Sequence, residues 1–221
     1  EDISALLAVL DELSGTKEEL KTYGGLLEEE NKQKRRRKKL DEQKRLFEMV
    51  QEAIKPHIAL LTSITKALEA ADTEADAKRA MGKLAVIGAY LKRRSNLIML
   101  AEKSGQIPAE ELHLCLMESI SNLRPYGVNC ALRFDLSEEL PFHTAGTLFD
   151  FYEAVIELSL DTLTDMTAFA AGSAAGLHFT MILSCNTDMT VLSEKFANAS
   201  VTNEDGVWYC TLTIAEGGEA V

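Results

Sequence analysis

The stretch Phe149-Asp150-Phe151-Tyr152-Glu153-Ala154-Val155-Ile156-Glu157-Leu158-Ser159-Leu160-Asp161 decides how the second half of the chain is read. It lies inside a run from about Thr144 to Met166 whose apolar spacing predicts a helix. Before it, Val128, Cys130, Leu132, Phe134 and Leu136 alternate with Asn129, Ala131, Arg133 and Asp135, the period of a half-buried strand. Further upstream, Leu112, Leu116, Ile120 and Leu123 give helical spacing from Glu110 to Leu123, with Pro108 well placed at the start. After the helix come strand candidates near 167–171, 177–184, 198–203 and 207–214, the last two joined by Glu204-Asp205-Gly206, a hairpin signal. Two helices on one face of a largely antiparallel sheet make an α+β, two-layer sandwich.

The first half is helical in a different way. Ile3, Leu6, Leu10, Leu13, Leu20 and Leu27 follow three and four spacing, interrupted by Lys17 and Gly24, and give a weak coiled-coil frame. A stronger frame follows, because Leu40, Phe47, Ile54, Leu61 and Leu68 recur every seven residues, with Val50 and Ile64 filling the seam and Ile58 beside it. Leu27 and Leu40 are 13 positions apart, one short of two heptads, so the two seams do not join in phase. A phase break of this kind suits either a rotating signal relay or a simple bend. Thr73-Glu74-Ala75-Asp76 reads as a helix cap, and Leu84, Ile87, Leu91 and Ile98 mark a second helix that stops at Ser104-Gly105. The pair predicts an antiparallel hairpin, and two such hairpins a dimeric four-helix bundle. The expected organisation is therefore a coiled-coil signalling helix over 1–39, a dimerisation hairpin over 40–106 and a sandwich domain over 107–221.

Composition narrows the function classes. The chain has 221 residues, 46% hydrophobic, with 6% aromatic residues and 4 prolines, which leans toward helix. A formal charge of -12 argues against nucleic acid or acidic lipid as a general partner. The basic island Lys32 to Lys39 reads as a solvated coiled-coil face, with contact to a membrane surface as the alternative. Cys115, Cys130, Cys185 and Cys210 show neither CxxC pairing nor zinc spacing, and read as small buried hydrophobes in a reducing, cytoplasmic setting. No segment has the roughly 18 apolar residues of a membrane span. The opening inside an amphipathic run leads us to expect a preceding sensor region, membrane-anchored, outside this sequence.

The order of elements, together with Ile87-Gly88-Ala89-Tyr90-Leu91-Lys92-Arg93-Arg94-Ser95-Asn96-Leu97 and Phe149 to Glu157, resembles the dimerisation and ATPase-like domains of bacterial sensor histidine kinases over about residues 40–221. The resemblance implies a homodimer that signals to a response regulator or another signalling protein. It also implies a His near the middle of the first hairpin helix as phosphoryl acceptor, followed by an acidic residue. Aligned on Glu48-Met49-Val50-Gln51-Glu52, those positions hold Gln51 and Glu52, and an amide is no phosphoryl nucleophile. The His on that helix is His57, preceded by Pro56, and the heptad frame puts it on the seam with Val50 and Ile64. His57 is thus either a displaced acceptor or a core histidine.

For Mg-ATP the family uses an Asn on its first core helix, an adenine-reading Asp among glycines, and a glycine-rich lid. Here Glu157-Leu158-Ser159-Leu160-Asp161 puts Asp161 at the Asn position, Asp188 is the adenine candidate without neighbouring glycine, and none occurs until Gly206. Glu157, Asp161 and Asp188 are the candidate cofactor residues, and the expectation is no cofactor unless that site still works for ATP and magnesium. Ser137-Glu138-Glu139 and Glu110-Glu111 read as solvated or capping carboxylates, His113, His143 and His178 as isolated, and Gly172, Gly176 and Gly217-Gly218 as turn and tail residues. The leading expectation is a signalling module with lost or weak ATP binding and autokinase activity. The alternatives are an active sensor kinase, a His-dependent phosphotransferase, and a coiled-coil dimerisation scaffold.

Overall fold

The computed structural model describes residues 3–173 and 176–215, with side chains for all of these except 3–12, 14, 19 and 103. The side chains of Ile3, Leu6 and Leu10 of the first seam, and the whole of Gly217-Gly218, therefore lie outside what is described. The chain forms two compact units, Glu1–Glu48 and Met49–Val221.

The first unit is helical throughout its described residues, as part of α1 (Ile3–Glu69). Its basic island is laced by exposed pairs such as Lys34 Nζ to Glu30 Oε1 at 2.8 Å, worth little individually in water. Leu13, Leu20, Leu27, Leu40 and Phe47 are exposed along this helix in the single chain.

In the second unit α1 continues helical through Pro56, whose missing N–H leaves one carbonyl of the preceding turn without its helical donor. The hairpin partner is α2 (Glu74–Ser104), started by Thr73, whose hydroxyl accepts from Asp76 N at 3.1 Å. It ends at Gly105, left-handed at φ 71°, whose N–H donates to the Ala101 carbonyl. Ile64, Ala80 and Ile87 form a small buried cluster with Leu60, Leu61, Leu68, Leu84 and Leu91 packed around it. Of the seven-residue stripe of α2, Ile87 and Ile98 are buried within the single chain and Leu84 and Leu91 are half-buried. Ile58 of α1, by contrast, remains exposed.

The remaining elements are β1 (Gln106–Pro108), α3 (Ala109–Leu123), a 3-10 turn at Arg124–Tyr126, β2 (Asn129–Asp135), β3 (Glu139–Pro141), α4 (Phe142–Ser159), β4 (Asp165–Ser173), β5 (Gly176–Ser184), α5 (Val191–Lys195), β6 (Ala199–Glu204) and β7 (Val207–Ile214). The main sheet has the order β2-β4-β5-β7-β6, antiparallel except for the parallel β2–β4 pair. The hairpin turn has Asp205 at φ 51° and Gly206 at φ 86°, two positive φ values in succession, the geometry that favours Asp-Gly. One sheet face is lined by Ala168, Ala170, Phe179, Met181, Cys210 and Leu212, all buried in one core with Leu116, Leu148, Phe149, Phe151 and Tyr152 of α3 and α4. Each large apolar side chain fully buried there contributes roughly 1.5–3 kcal/mol. This is the expected α+β sandwich.

Two features differ from the sequence expectation. The helix predicted to run to Met166 ends at Ser159, and Met166 is a buried residue of β4. Leu160 and Leu163 maintain apolar spacing past the end, while the chain turns because Thr164 N and its hydroxyl both donate to the Ser184 carbonyl. The short ribbon β1–β3, with Ile107 opposite Leu140, was not anticipated; its three-residue strands beside Pro108 and Pro141 are too short to show a period. The ribbon has a positional effect. It sets the start of α4 beside the end of α2, reinforced by Phe142 N donating to the Gly105 carbonyl at 3.0 Å.

Gly176 sits at φ 126°, where a Cβ would come within 2.2 Å of the Ile214 backbone oxygen. Gly176→Ala is expected to lower stability by about 2 kcal/mol through backbone strain. Gly88→Ala, on an exposed helical position with open space around it, should instead raise it by about 0.5–1 kcal/mol. Urea denaturation of both variants checks the pair; equal effects would contradict the strain assigned to Gly176.

Candidate functional site

The two stretches singled out by sequence meet in space. Tyr90 and Arg94 stand one turn apart on α2, so they share a face, and both reach Asp150 on α4. The Tyr90 hydroxyl donates to Asp150 Oδ1 at 2.9 Å; Arg94 donates through Nε to Oδ1 at 2.8 Å and through Nη2 to Oδ2 at 2.9 Å. A forked guanidinium on a carboxylate is a strong, orientation-specific contact. Arg94 also lies over the Phe142 ring at 5.3 Å, and Tyr90 stacks on Phe149 at 5.4 Å. Burial, then the neighbouring Asp150 carboxylate, pushes the Tyr90 phenol well above its ordinary range, so it stays a donor. Close to this clamp, Gly146 leaves room for Arg94: a Cβ there would meet Nη1 at 2.8 Å.

His57 packs against Tyr90, ring centroids 4.9 Å apart. It is half-buried, and its Nδ1 is enclosed without a hydrogen-bond partner. Val50 is half-buried and Ile64 buried, so the seam on which the heptad frame placed His57 is an intrachain one. Gln51 and Glu52 are both exposed.

The candidate nucleotide residues are arranged differently. Asp161 lies beyond the end of α4, exposed, and accepts from Lys83 Nζ of α2 at 2.7 Å. Glu157 is exposed on α4. Asp188 is exposed, and its Oδ1 accepts from the Thr190 backbone N–H and hydroxyl, which hold its carboxyl below the usual range. The loops carrying Asp161 and Asp188 are joined by the Thr162 and Thr187 hydroxyls at 2.9 Å and by Asn186 N donating to Thr162 Oγ1. Where the lid would be, α5 and β6 follow directly. Among the described residues no group of three His, Cys, Asp or Glu side chains is placed to hold a metal ion. As arranged, Glu157, Asp161 and Asp188 do not form a shared magnesium site.

His113 stacks on Phe134, His143 meets Thr144, and His178 meets Thr213, each in a separate place. Cys115, Cys185 and Cys210 are buried free thiols and Cys130 is half-buried; burial raises Cys115 to about 11 and Cys210 to about 12. Among the described residues no helix is long and apolar enough to cross a membrane. Sequence reasoning passed over the clamp itself and Glu153. A carboxylate flanked by Phe149, Tyr152 and Ile156 on an apolar helix was a visible signal. Glu153 is 2% exposed, with neither oxygen hydrogen-bonded, and burial raises its carboxyl to about 8.

Solved structures similar to this chain include histidine kinases and a phosphotransferase. A bacterial phosphotransferase is 12% identical with a TM-score of 0.42, the match covering 78% of this chain and 95% of that one. The Erythrobacter litoralis EL346 blue-light activated histidine kinase is 14% identical with a TM-score of 0.48, covering 78% of this chain and 63% of that one. The Acinetobacter baumannii histidine kinase AdeS is 8% identical with a TM-score of 0.39, covering 75% and 98%. Likenesses at this level, with TM-scores below 0.5, say nothing of any residue's chemistry. No family model and no curated protein sequence matches the chain.

A carboxyl raised in the folded state binds its proton more tightly folded than unfolded. The stability it contributes is complete below about 4.5 and is lost as pH rises through about 8. Between those values wild type should lose stability relative to Glu153→Gln, measured by denaturant midpoints across pH. Parallel curves for the two proteins would contradict the burial of an unpaired Glu153.

Proposed function

We propose that this chain is the output region of a two-component signalling protein, histidine-kinase-like in layout, that passes conformational state to a protein partner with lost or weak ATP chemistry of its own. The observation that supports this reading most directly is His57 packed against Tyr90, itself held by Asp150. That packing half-buries the imidazole and encloses its Nδ1, which favours a packing role over that of an acceptor. The Lys83–Asp161 pair and the Thr190 contacts of Asp188 support weak nucleotide affinity in the same way.

Mg-ATP at millimolar concentration should raise the melting temperature by less than about one degree, since a ligand stabilises only as its concentration exceeds its dissociation constant. Incubation with ATP should leave no acid-labile phosphate on His57. A clear thermal shift lost in Asp161→Ala would restore an autokinase. Phosphate gained from a phosphorylated response regulator, and absent in His57→Gln, would establish a phosphotransferase instead.

The reading also includes a homodimer. Leu13, Leu20 and Leu27 repeat at seven, as do Leu40 and Phe47, and all five are exposed in the single chain, Leu20 at 71% and Leu40 at 64%. A stripe of large apolar side chains along one helix is characteristic of a coiled-coil seam. Light scattering should give about twice the 24.3 kDa chain mass. Leu20→Lys together with Phe47→Lys should give the monomer, because each buries a charge at the seam. A monomeric wild-type chain at micromolar concentration would overturn the dimer.

A further inference from the structure

A cavity of about 440 Å³ opens between the hairpin and α4 within the second unit. Its apolar walls come from Leu60 and Ile64 of α1, Val86 and Ile87 of α2, and Leu160 just past α4. The cavity is large enough for a small organic molecule, and its lining is divided between this apolar patch and the polar side chains Ser63, Asp76, Arg79, Lys83, Glu153 and Glu157. Glu153 forms part of the same wall, and its two buried oxygens have no hydrogen-bond partner in the protein. A carboxyl buried without a donor is costly, and a ligand that brings a donor relieves that cost.

The charges around the cavity favour a cation. Asp76 and Arg79 on α2 and Glu157 on α4 line it, and Lys83, which also lines it, is neutralised by Asp161 at 2.7 Å. The balance is one negative charge with Glu153 protonated and two with it ionised. The part of α1 in the wall contributes no ionisable side chain. Beyond the wall, Glu153 also feels Asp150, which like Glu157 disfavours its ionisation, and Lys195 of α5, which favours it.

We propose that this cavity binds a small organic cation, its apolar body seated on Leu60, Ile64, Val86 and Ile87 and its ammonium group bonded to the Glu153 carboxylate. No residue of the phosphoryl-acceptor or nucleotide reading except Glu157 borders the cavity, so ligand binding stands or falls separately from the signalling chemistry. Binding an ammonium ion requires the ionised carboxylate, and Glu153 holds its proton at neutral pH, so occupancy releases a proton.

The test is calorimetry on the full chain with hexylammonium, 1-hexanol and hexanoate as probes. Hexylammonium is expected to bind one per chain, about tenfold or more tighter than either other probe at pH 8. Its affinity should rise about tenfold from pH 6.5 to 7.5 as the carboxyl becomes easier to ionise, with heats that depend on the buffer's ionisation enthalpy. Glu153→Gln should abolish both the preference for the cation and its pH dependence. Ala67→Trp, at an exposed position on the cavity rim, should block the probe while leaving the fold intact by circular dichroism. No binding at millimolar hexylammonium, equal binding of the three probes, or an undiminished affinity in either variant would overturn the proposal.

Discussion

One carboxylate, Asp150, joins the hairpin to the sandwich. It accepts a hydrogen bond from Tyr90 and a forked pair from Arg94, and the ribbon β1–β3 brings α4 close enough to α2 for both to reach it. Partly buried charge is tolerable only when it is paired and hydrogen-bonded, so the three residues stand together. Around them Phe149 and Phe142 supply ring contacts to Tyr90 and Arg94, while the Asp150 side chain remains 34% exposed. The apolar core beneath supplies most of the stability; the clamp sets which face of α4 the hairpin meets.

That choice determines what the rest of the unit presents. With Tyr90 fixed, His57 has a ring to pack on, and the cavity bordered by Glu153 lies open to solvent between α1, α2 and α4. A polar clamp of this kind differs from an apolar seam in having discrete made and broken states, as a conformational relay requires. In the function we propose, a signal arriving along α1 is read as a change in how α2 holds α4. Lys92 and Arg93, both bonded to Glu118 of α3, give the opposite face of the same helix a second charged attachment.

Much of the architecture was legible in local patterns because local chemistry determines it. Thr73 and Gly105 end α2 where their capping preferences say, Asp205-Gly206 makes its turn, and the alternation in 129–135 is that of a strand. The end of α4 was not legible, since Leu160, Leu163 and Met166 prolong a helical spacing that only hydrogen bonds to Ser184 interrupt. Periodicity along α2 shows that a face is apolar without showing how much of it the hairpin covers and how much is left for another surface. His57 was legible as a seam residue, but its cover, Tyr90, lies 33 positions away and has no local signature. The Asp150 clamp spans 56 and 60 positions, and its residues stood in the quoted stretches without any sign that they touch.

The measurement that bears most directly on this account is a double-mutant cycle between Arg94 and Asp150, with Arg94→Met and Asp150→Leu compared singly and together by denaturant unfolding. The account predicts that the double variant is more stable than the sum of the single losses allows, by about 1–3 kcal/mol, because each single change strands a partly buried charge. Losses that add to within about 0.3 kcal/mol would mean that the two residues do not act as a pair, and that something other than Asp150 holds the hairpin to the sandwich.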